Sequence, residues 1–210
     1  MSEAHWNRIY QTKPADTVSW FESEPTTSLE LVRACGVSTS AAVLDVGAGA
    51  SRLVDGLLRE GFTDVTLLDL SFEALAVTRT RLEANAKLAQ AAKGALHTVV
   101  ADVGAWQPER KYALWHDRAV FHFLTSPEGR AQYLRALAEA LEVGGHAIVG
   151  TFALDGPERC SNLPVQRYSA ETLAEALSPV LALVESRAVV HTTPSGGTQS
   201  FVFGRFRRRP

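Results

Sequence analysis

The stretch Val43–Ser51, VLDVGAGAS, decides how the rest of the chain is read. Val43, Leu44 and Val46 form a short apolar run suited to a strand buried on both faces, with Asp45 near its carboxyl end. Gly47 and Gly49 lack a Cβ, so the backbone there turns sharply and passes close to a ligand. An amphipathic helix follows from Ser51. Strand, glycine turn and helix together make a small-ligand crevice in an open α/β sheet. A bare GxG is common in loops, so its meaning rests on the flanking chain.

Downstream, strand and helix alternate. Leu53, Val54, Leu57 and Leu58 recur at helical spacing up to Gly61. Asp64–Leu70 reads as a second strand with Asp69 at its carboxyl end. Ser71 then caps one long helix to about Ala92, closed by Gly94. Leu96–Val100 is the third strand, followed by Ala101, Asp102 and Val103, and Tyr112–His116 is the fourth. Ser126-Pro127-Glu128 is a helix start, with a cap, proline at the first position and an acid in the first turn. Tyr133, Leu134, Leu137 and Leu141 give that helix an apolar stripe, and Gly144 stops it. His146–Phe152 is the fifth strand, and Ser169 caps a helix ending by Ser178. Val180–His191 and Thr198–Phe206 are strand-like runs joined by Thr193–Gly197, a hairpin turn.

Upstream, Ser28–Cys35 reads as a short helix capped by Ser28 and ended by Gly36. Residues 1–27 carry Trp6, Tyr10, Trp20 and Phe21, an aromatic extension suited to anchoring a terminus or covering the crevice. The expected fold is a single α/β domain over residues 1–210: a cover segment over 1–27 and a doubly wound core over 40–206. The sheet is mostly parallel with helices on both faces, and a C-terminal antiparallel β-hairpin adds one antiparallel strand.

With 210 residues, 46% of them hydrophobic, the chain is long enough for one sizeable core. The formal net charge of −2, with both signs dispersed, lacks the basic excess of a nucleic-acid binder. The basic tail Arg205–Pro210 reads as a solvated terminus. No apolar run is long enough to span a membrane, and the first residues lack a signal-peptide core. Cys35 and Cys160, far apart in sequence, suggest no disulfide framework, so a cytoplasmic setting is expected.

Two cofactor classes compete for the glycine turn. A dinucleotide fingerprint needs a third glycine where this chain has Arg52. Asp69, following Gly47 by 22 residues, suits the ribose hydroxyls of either class. Asp45 before the turn suits an amino-acid ammonium, and Asp102 after the third strand suits an adenine amino group.

The set Asp45-x-Gly47-x-Gly49, Asp69 and Asp102 resembles a class I S-adenosylmethionine-dependent methyltransferase over residues 40–206. The resemblance implies a seven-stranded Rossmann-like sheet and S-adenosylmethionine as cofactor. It also implies that Asp45, Gly47, Ala48 and Gly49 cradle the methionine part, Asp69 and Leu70 the ribose, and Asp102 and Val103 the adenine. Ser51 stands where the commoner family loop has a third small residue.

For the acceptor, Trp115–Phe123 and Thr151-Phe152 mark the carboxyl ends of strands four and five. His116 and His122 are candidate bases, although a soft nucleophile needs none. The run Asp117-Arg118-Ala119 resembles thiopurine-type and related thiol methyltransferases, which implies that Asp117 lies near the cofactor and Arg118 near a polar or anionic acceptor group. Val18–Glu22 resembles the cover segment of such enzymes and of some lysine methyltransferases, which implies that Trp20 touches cofactor or acceptor. Residues 153–165, rich in Gly and Pro, read as a lid loop carrying Cys160. No short ligand spacing supports a metal site among His116, His122, Cys160 and His191. The expectation is methyl transfer to a small molecule, with a protein lysine or a non-catalytic cofactor-binding regulator as alternatives.

Overall fold

The structure is a computed structural model that describes residues 2–210. Helix α1 (Glu3–Thr12) starts at Ser2, whose hydroxyl accepts from the His5 amide. An irregular run leads to α2 (Thr26–Cys35), then β1 (Val43–Val46), α3 (Leu53–Arg59) and β2 (Val65–Asp69). Next come α4 (Phe72–Glu83), α5 (Ala86–Ala92), β3 (Leu96–Val100) and β4 (Tyr112–Arg118). A short 3-10 turn over Phe121–Phe123 precedes α6 (Pro127–Ala140) and β5 (Leu141–Phe152). The loop after β5 holds a ribbon of β6 (Arg159–Cys160) and β7 (Leu163–Pro164). Helix α7 (Ala170–Leu177) and strands β8 (Leu181–Thr192) and β9 (Thr198–Arg208) complete the chain.

The main sheet has seven strands in the order β3-β2-β1-β4-β5-β9-β8. Pairings among β1 to β5 are all parallel, and β9 runs antiparallel to both its neighbours, β5 and β8. Strand order reverses at β1: β2 and β3 extend to one side, β4 and β5 to the other. The crevice beyond the carboxyl ends at such a reversal is where open α/β sheets bind ligands.

Alternation along the central strands divides the core in two. Val43, Leu114 and Ile148 pack with Leu31, Leu53, Leu75 and Leu88 from α2 to α5 on one face. Leu44, Val46, Trp115 and Val149 pack with Tyr133, Leu137 and Leu173 from α6 and α7 on the other. Register places Asp45 beside His116 and Val46 beside Asp117, so these two polar neighbours of β4 face opposite layers.

Three boundaries depart from the sequence reading. The single long helix after Ser71 is two, because the Asn85 side chain accepts from the Lys87 and Leu88 amides and starts α5 afresh. Helix α6 ends at Ala140 rather than Gly144, because Leu141 already pairs with Tyr112 in the sheet. Helix α2 starts at Thr26, and Ser28 caps nothing: its hydroxyl is turned to His116.

Candidate functional site

The glycine turn after β1 requires glycine at both positions. Gly47 and Gly49 have φ of +63° and +52°. A Cβ on Gly47 would lie 2.0 Å from Val120 Cγ2, and one on Gly49 would lie 2.7 Å from the Tyr10 hydroxyl. Asp69 at the end of β2 clamps the turn: Oδ2 accepts from the Gly49 amide at 2.8 Å and Oδ1 from the Ser71 amide at 2.7 Å. Burial pushes the Asp69 carboxyl up to about 6, against the lowering effect of those two amides. From behind, Thr78 donates to the Gly49 carbonyl, and Arg81 donates to the Ala50 and Ser51 carbonyls while pairing with Asp55.

Two cavities open over the turn. The larger, about 710 Å³, runs from Leu68, Asp69, Leu70, Asp102 and Val103 to Trp6, Phe123 and Cys160. The other, about 530 Å³, lies over Asp45, Gly47, Ala48 and Ser51 and is bounded by Phe21, Glu22, Arg52 and His116. Tyr10, Trp20, Gly47 and Arg118 border both.

The roof is the N-terminal segment. Trp6 meets Trp20 and Phe123 edge to face at 5.8 and 5.4 Å, and Trp20 Nε1 donates to the Tyr10 hydroxyl at 3.4 Å. Several polar contacts hold this segment down, among them four spread along its length. Ser71 donates to Asn7, Arg118 Nη1 donates to the Trp20 carbonyl, His191 Nε2 lies 2.8 Å from the Ser19 carbonyl, and His5 Nε2 lies 3.2 Å from the Ser161 hydroxyl.

The residues after β4 play roles that their order in sequence does not reveal. His116 is buried, with Nδ1 2.7 Å from Asp45 Oδ1 and Nε2 2.9 Å from the Ser28 hydroxyl, so neither ring nitrogen is free for an acceptor. Asp117 lines neither cavity. It accepts from the Val120 and Phe121 amides and from the Tyr133 hydroxyl, which in turn accepts from Trp115 Nε1. This shapes the tight turn at Ala119, φ +72°, that presses Val120 over Gly47. Burial raises Asp117 to about 6. The expectation that Asp117 touches the cofactor is thus corrected: it supports the turn from the α6 side.

His122 is likewise below the cavity floor, between Phe123 and Phe152, and burial pushes it down to about 3. Its Nδ1 accepts from the Phe152 amide, which leaves the proton on Nε2. Arg118 alone of the three expected catalytic residues presents a free group. Its Nε lies 3.2 Å from Glu22 and its guanidinium rests on Phe201, 4.9 Å from the ring centroid, while Nη2 is buried with no partner.

The structure thus gathers Trp20, Asp45, Gly47, Ala48, Asp69, Leu70, Asp102, Val103 and Arg118 around the cavities, and Gly49 beneath Tyr10. Sequence reasoning named Trp6 and Tyr10 only as parts of a covering extension and Val120 only within the acceptor segment, and gave Arg52 no place at the site. A signal for the first two was present: they stand four apart, on one face of a helix. Burial pushes the Cys160 thiol up to about 12, so it is a neutral wall of the larger cavity.

Comparison with known proteins fits this geometry. The profile of a methyltransferase domain matches residues 43–145, from β1 to the start of β5. Residues 43–145 thus form a methyltransferase domain, and the whole chain has the Rossmann-like methyltransferase fold. The cofactor that the sequence implies is S-adenosylmethionine.

Among solved structures, one described for the conversion of a disulfide bond into a thioacetal group during echinomycin biosynthesis superposes with a TM-score of 0.73 at 20% identity, over 100% of this chain and 93% of that one. The 1,6-didemethyltoxoflavin-N1-methyltransferase of Burkholderia thailandensis, with 1,6-didemethyltoxoflavin and S-adenosylhomocysteine bound, gives 0.69 at 22%, over 99% and 84%. The N-methyltransferase NodS of Bradyrhizobium japonicum WM9, with S-adenosylhomocysteine, gives 0.70 at 16%, over 98% and 100%. At these identities the likeness establishes the fold of this methyltransferase. No curated protein sequence matches it. Among the described residues, no helix is long and apolar enough to cross a membrane, and no cluster of three His, Cys, Asp or Glu is arranged to hold a metal.

The residues present fit the cofactor. Both cavities run over Gly47, and Asp45 Oδ2 is a buried acceptor without a partner beside it.

Proposed function

We propose that this methyltransferase acts on a small-molecule acceptor whose nucleophile is soft or easily deprotonated, such as a thiol or an amine. The observation that carries the reading is a cavity walled by Trp6, Trp20, Phe123 and Cys160, next to the expected adenosyl positions, with neither candidate histidine on its walls. His116 is hydrogen-bonded at both nitrogens, and His122 holds its proton on the unpartnered nitrogen. An acceptor that needed a base to remove a tightly held proton would find none placed.

When bound, S-adenosylmethionine supplies a methyl group already activated by the sulfonium charge. Asp69 and Leu70 would hold the ribose, and Asp102 and Val103 the adenine, all four lining the larger cavity. Tyr10 and Trp20, which border both cavities, stand where cofactor and acceptor meet and present aromatic surface there. Their task is to exclude water and hold the nucleophile at near-attack distance, about 3–3.5 Å. Arg118 Nη2 offers a buried charged donor to a polar or anionic group of the acceptor. The 1,6-didemethyltoxoflavin bound by the Burkholderia neighbour supports a small acceptor. Two free buried cysteines, Cys35 and Cys160, support a reducing, cytoplasmic setting.

The test is a panel of small thiols, amines and phenols incubated with the protein and S-adenosylmethionine, with S-adenosylhomocysteine formation as readout. Turnover on a thiol or amine, weakened by Arg118→Met, supports the reading. Turnover on protein lysine, with none on any small molecule, overturns it.

A further inference from the structure

A second cluster of charged groups lies at the foot of the sheet, on residues that line neither cavity over the glycine turn. The basic run that begins at Arg205 is not a loose tail: through Arg208 it is the end of β9. Register sets His146 opposite Arg207 and Ile148 opposite Arg205, so His146, Arg205 and Arg207 share one face of the sheet. His146 precedes Phe152 by six residues, which puts it about 20 Å from the crevice end of β5 at the usual rise of a strand.

These groups are donors without enough acceptors. Arg207 Nη1 lies 3.2 Å from His146 Nε2, and a guanidinium only donates, so Nε2 accepts and the ring proton is on Nδ1. His146 is 7% exposed, and its Nδ1 is buried with no partner; so is Arg205 Nε. Burial and the two guanidiniums push His146 down, which keeps the ring neutral. Glu185, the acid opposite Arg205, is already matched by Arg205 and Arg187, and Arg187 also meets Glu30. No acid among the described residues lies within ion-pair distance of Arg207. Cys35, at the end of α2, adds no negative charge, because burial pushes its thiol up to about 11. Beside the cluster there is room: a Cβ on Gly144 would meet only Arg207 Nη2, at 3.9 Å.

We propose that this cluster is a binding site for a tetrahedral oxyanion, a free phosphate or a phosphate monoester, which pairs with Arg207 and accepts from His146 Nδ1 and Arg205 Nε. One unmatched guanidinium supplies the charge, and donors from three side chains on two strands suit a ligand with several acceptor oxygens round one centre. Filling the two orphaned donors also removes the cost of burying them unpaired. The site stands apart from the methyl-transfer crevice and does not depend on the cofactor.

The experiment is calorimetric titration of the full chain with sodium phosphate and with glycerol 3-phosphate, against sodium chloride at equal ionic strength, with thermal shift in parallel. Phosphate binds and raises the melting temperature, and chloride does neither. Binding of glycerol 3-phosphate as well assigns the site to a phosphate ester; binding of inorganic phosphate alone assigns it to the free ion. Arg207→Met, at an exposed position, keeps its melting temperature in chloride and weakens phosphate about tenfold. His146→Gln, which keeps a donor, weakens it about threefold. Lys93→Met removes the same charge from an exposed position at the end of α5, near the opposite edge of the sheet, and leaves phosphate binding unchanged. No phosphate binding by the unaltered protein overturns the proposal. An equal loss in Arg207→Met and Lys93→Met also overturns it, because the effect would then be one of net charge.

Discussion

Asp45 and His116 sit side by side on β1 and β4, 2.7 Å apart, with the far nitrogen of His116 fixed by the Ser28 hydroxyl. The geometry fits Nδ1–H donating to Asp45 and Nε2 accepting from Ser28, so the imidazole is a post that aims the carboxylate. His116→Ala leaves Asp45 Oδ1 and Ser28 buried without partners and lowers stability by roughly 2–4 kcal/mol, measured by urea unfolding. His116→Asn, which keeps a donor toward Asp45, recovers part of that loss. In any methyl-transfer assay the pH profile of the rate keeps its shape in the Asn variant. A limb lost near neutral pH would make His116 a base after all.

The Asp69 carboxyl, pushed up to about 6 by burial, predicts a pH dependence. Its folded value lies above the unfolded one, roughly 3.9, so its contribution to stability is present at low pH and lost as pH rises through about 6. Cofactor binding carries the opposite sign, because ribose hydroxyls donate to the ionised form. Affinity for S-adenosylhomocysteine therefore rises about 3–10-fold between pH 5 and 7.5, and Asp69→Asn flattens the curve. At pH 7.5, Asp69→Ala weakens binding by on the order of 1–3 kcal/mol. A pH-independent affinity in the unaltered protein would take Asp69 out of the ribose site.

Gly47 and Val120 make a second, steric pair. A Cβ on Gly47 would meet Val120 Cγ2 at 2.0 Å, in a backbone conformation that favours glycine. Gly47→Ala destabilises the protein by about 2–4 kcal/mol and abolishes S-adenosylhomocysteine binding, as read by thermal shift and calorimetry. Adding Val120→Ala relieves the clash but not the positive φ, so about half of the stability returns. Full recovery would mean that the strain at φ +63° contributes nothing.

The segment over residues 3–24 roofs both cavities, so ligand exchange requires it to open. Glu22 meets Arg118 from this segment. In hydrogen exchange, S-adenosylhomocysteine slows exchange across residues 3–24 more than in α6 and α7, and Glu22→Gln speeds it in the ligand-free protein. Equal protection of all helices would show that the roof does not open as a unit.

The strand, turn and acids that hold the cofactor were legible because each depends on local chemistry. Gly47 and Gly49 answer a backbone requirement, Asp69 ends a fully buried apolar strand, and Asp102 follows the apolar edge strand β3. The roles of His116 and Asp117 were not legible. As neighbours on one strand they point to opposite layers, and their partners, Ser28 and Tyr133, come from helices 88 and 16 residues away. Chain direction alone brings Arg118, the last residue of β4, to the crevice. The roof was half legible: Trp20 was read, but α1 buries none of its own residues fully and so carries no strong apolar stripe. The split at Asn85 was missed because Leu75, Leu82 and Ala89, spaced by sevens, run across it, and a local side-chain cap overrides that periodicity.

The anchors of that roof fix an order of events in folding. Residues 3–24 leave the ribosome before any of their partners: Ser19 waits for His191, 172 residues later, and His5 waits for Ser161, 156 later. Contacts this distant in sequence close late, after the sheet that presents them has formed. The emerging protein thus meets the Ser71 and Arg118 anchors of its cover early, and fastens His5 and Ser19 only once Ser161 and His191 have followed.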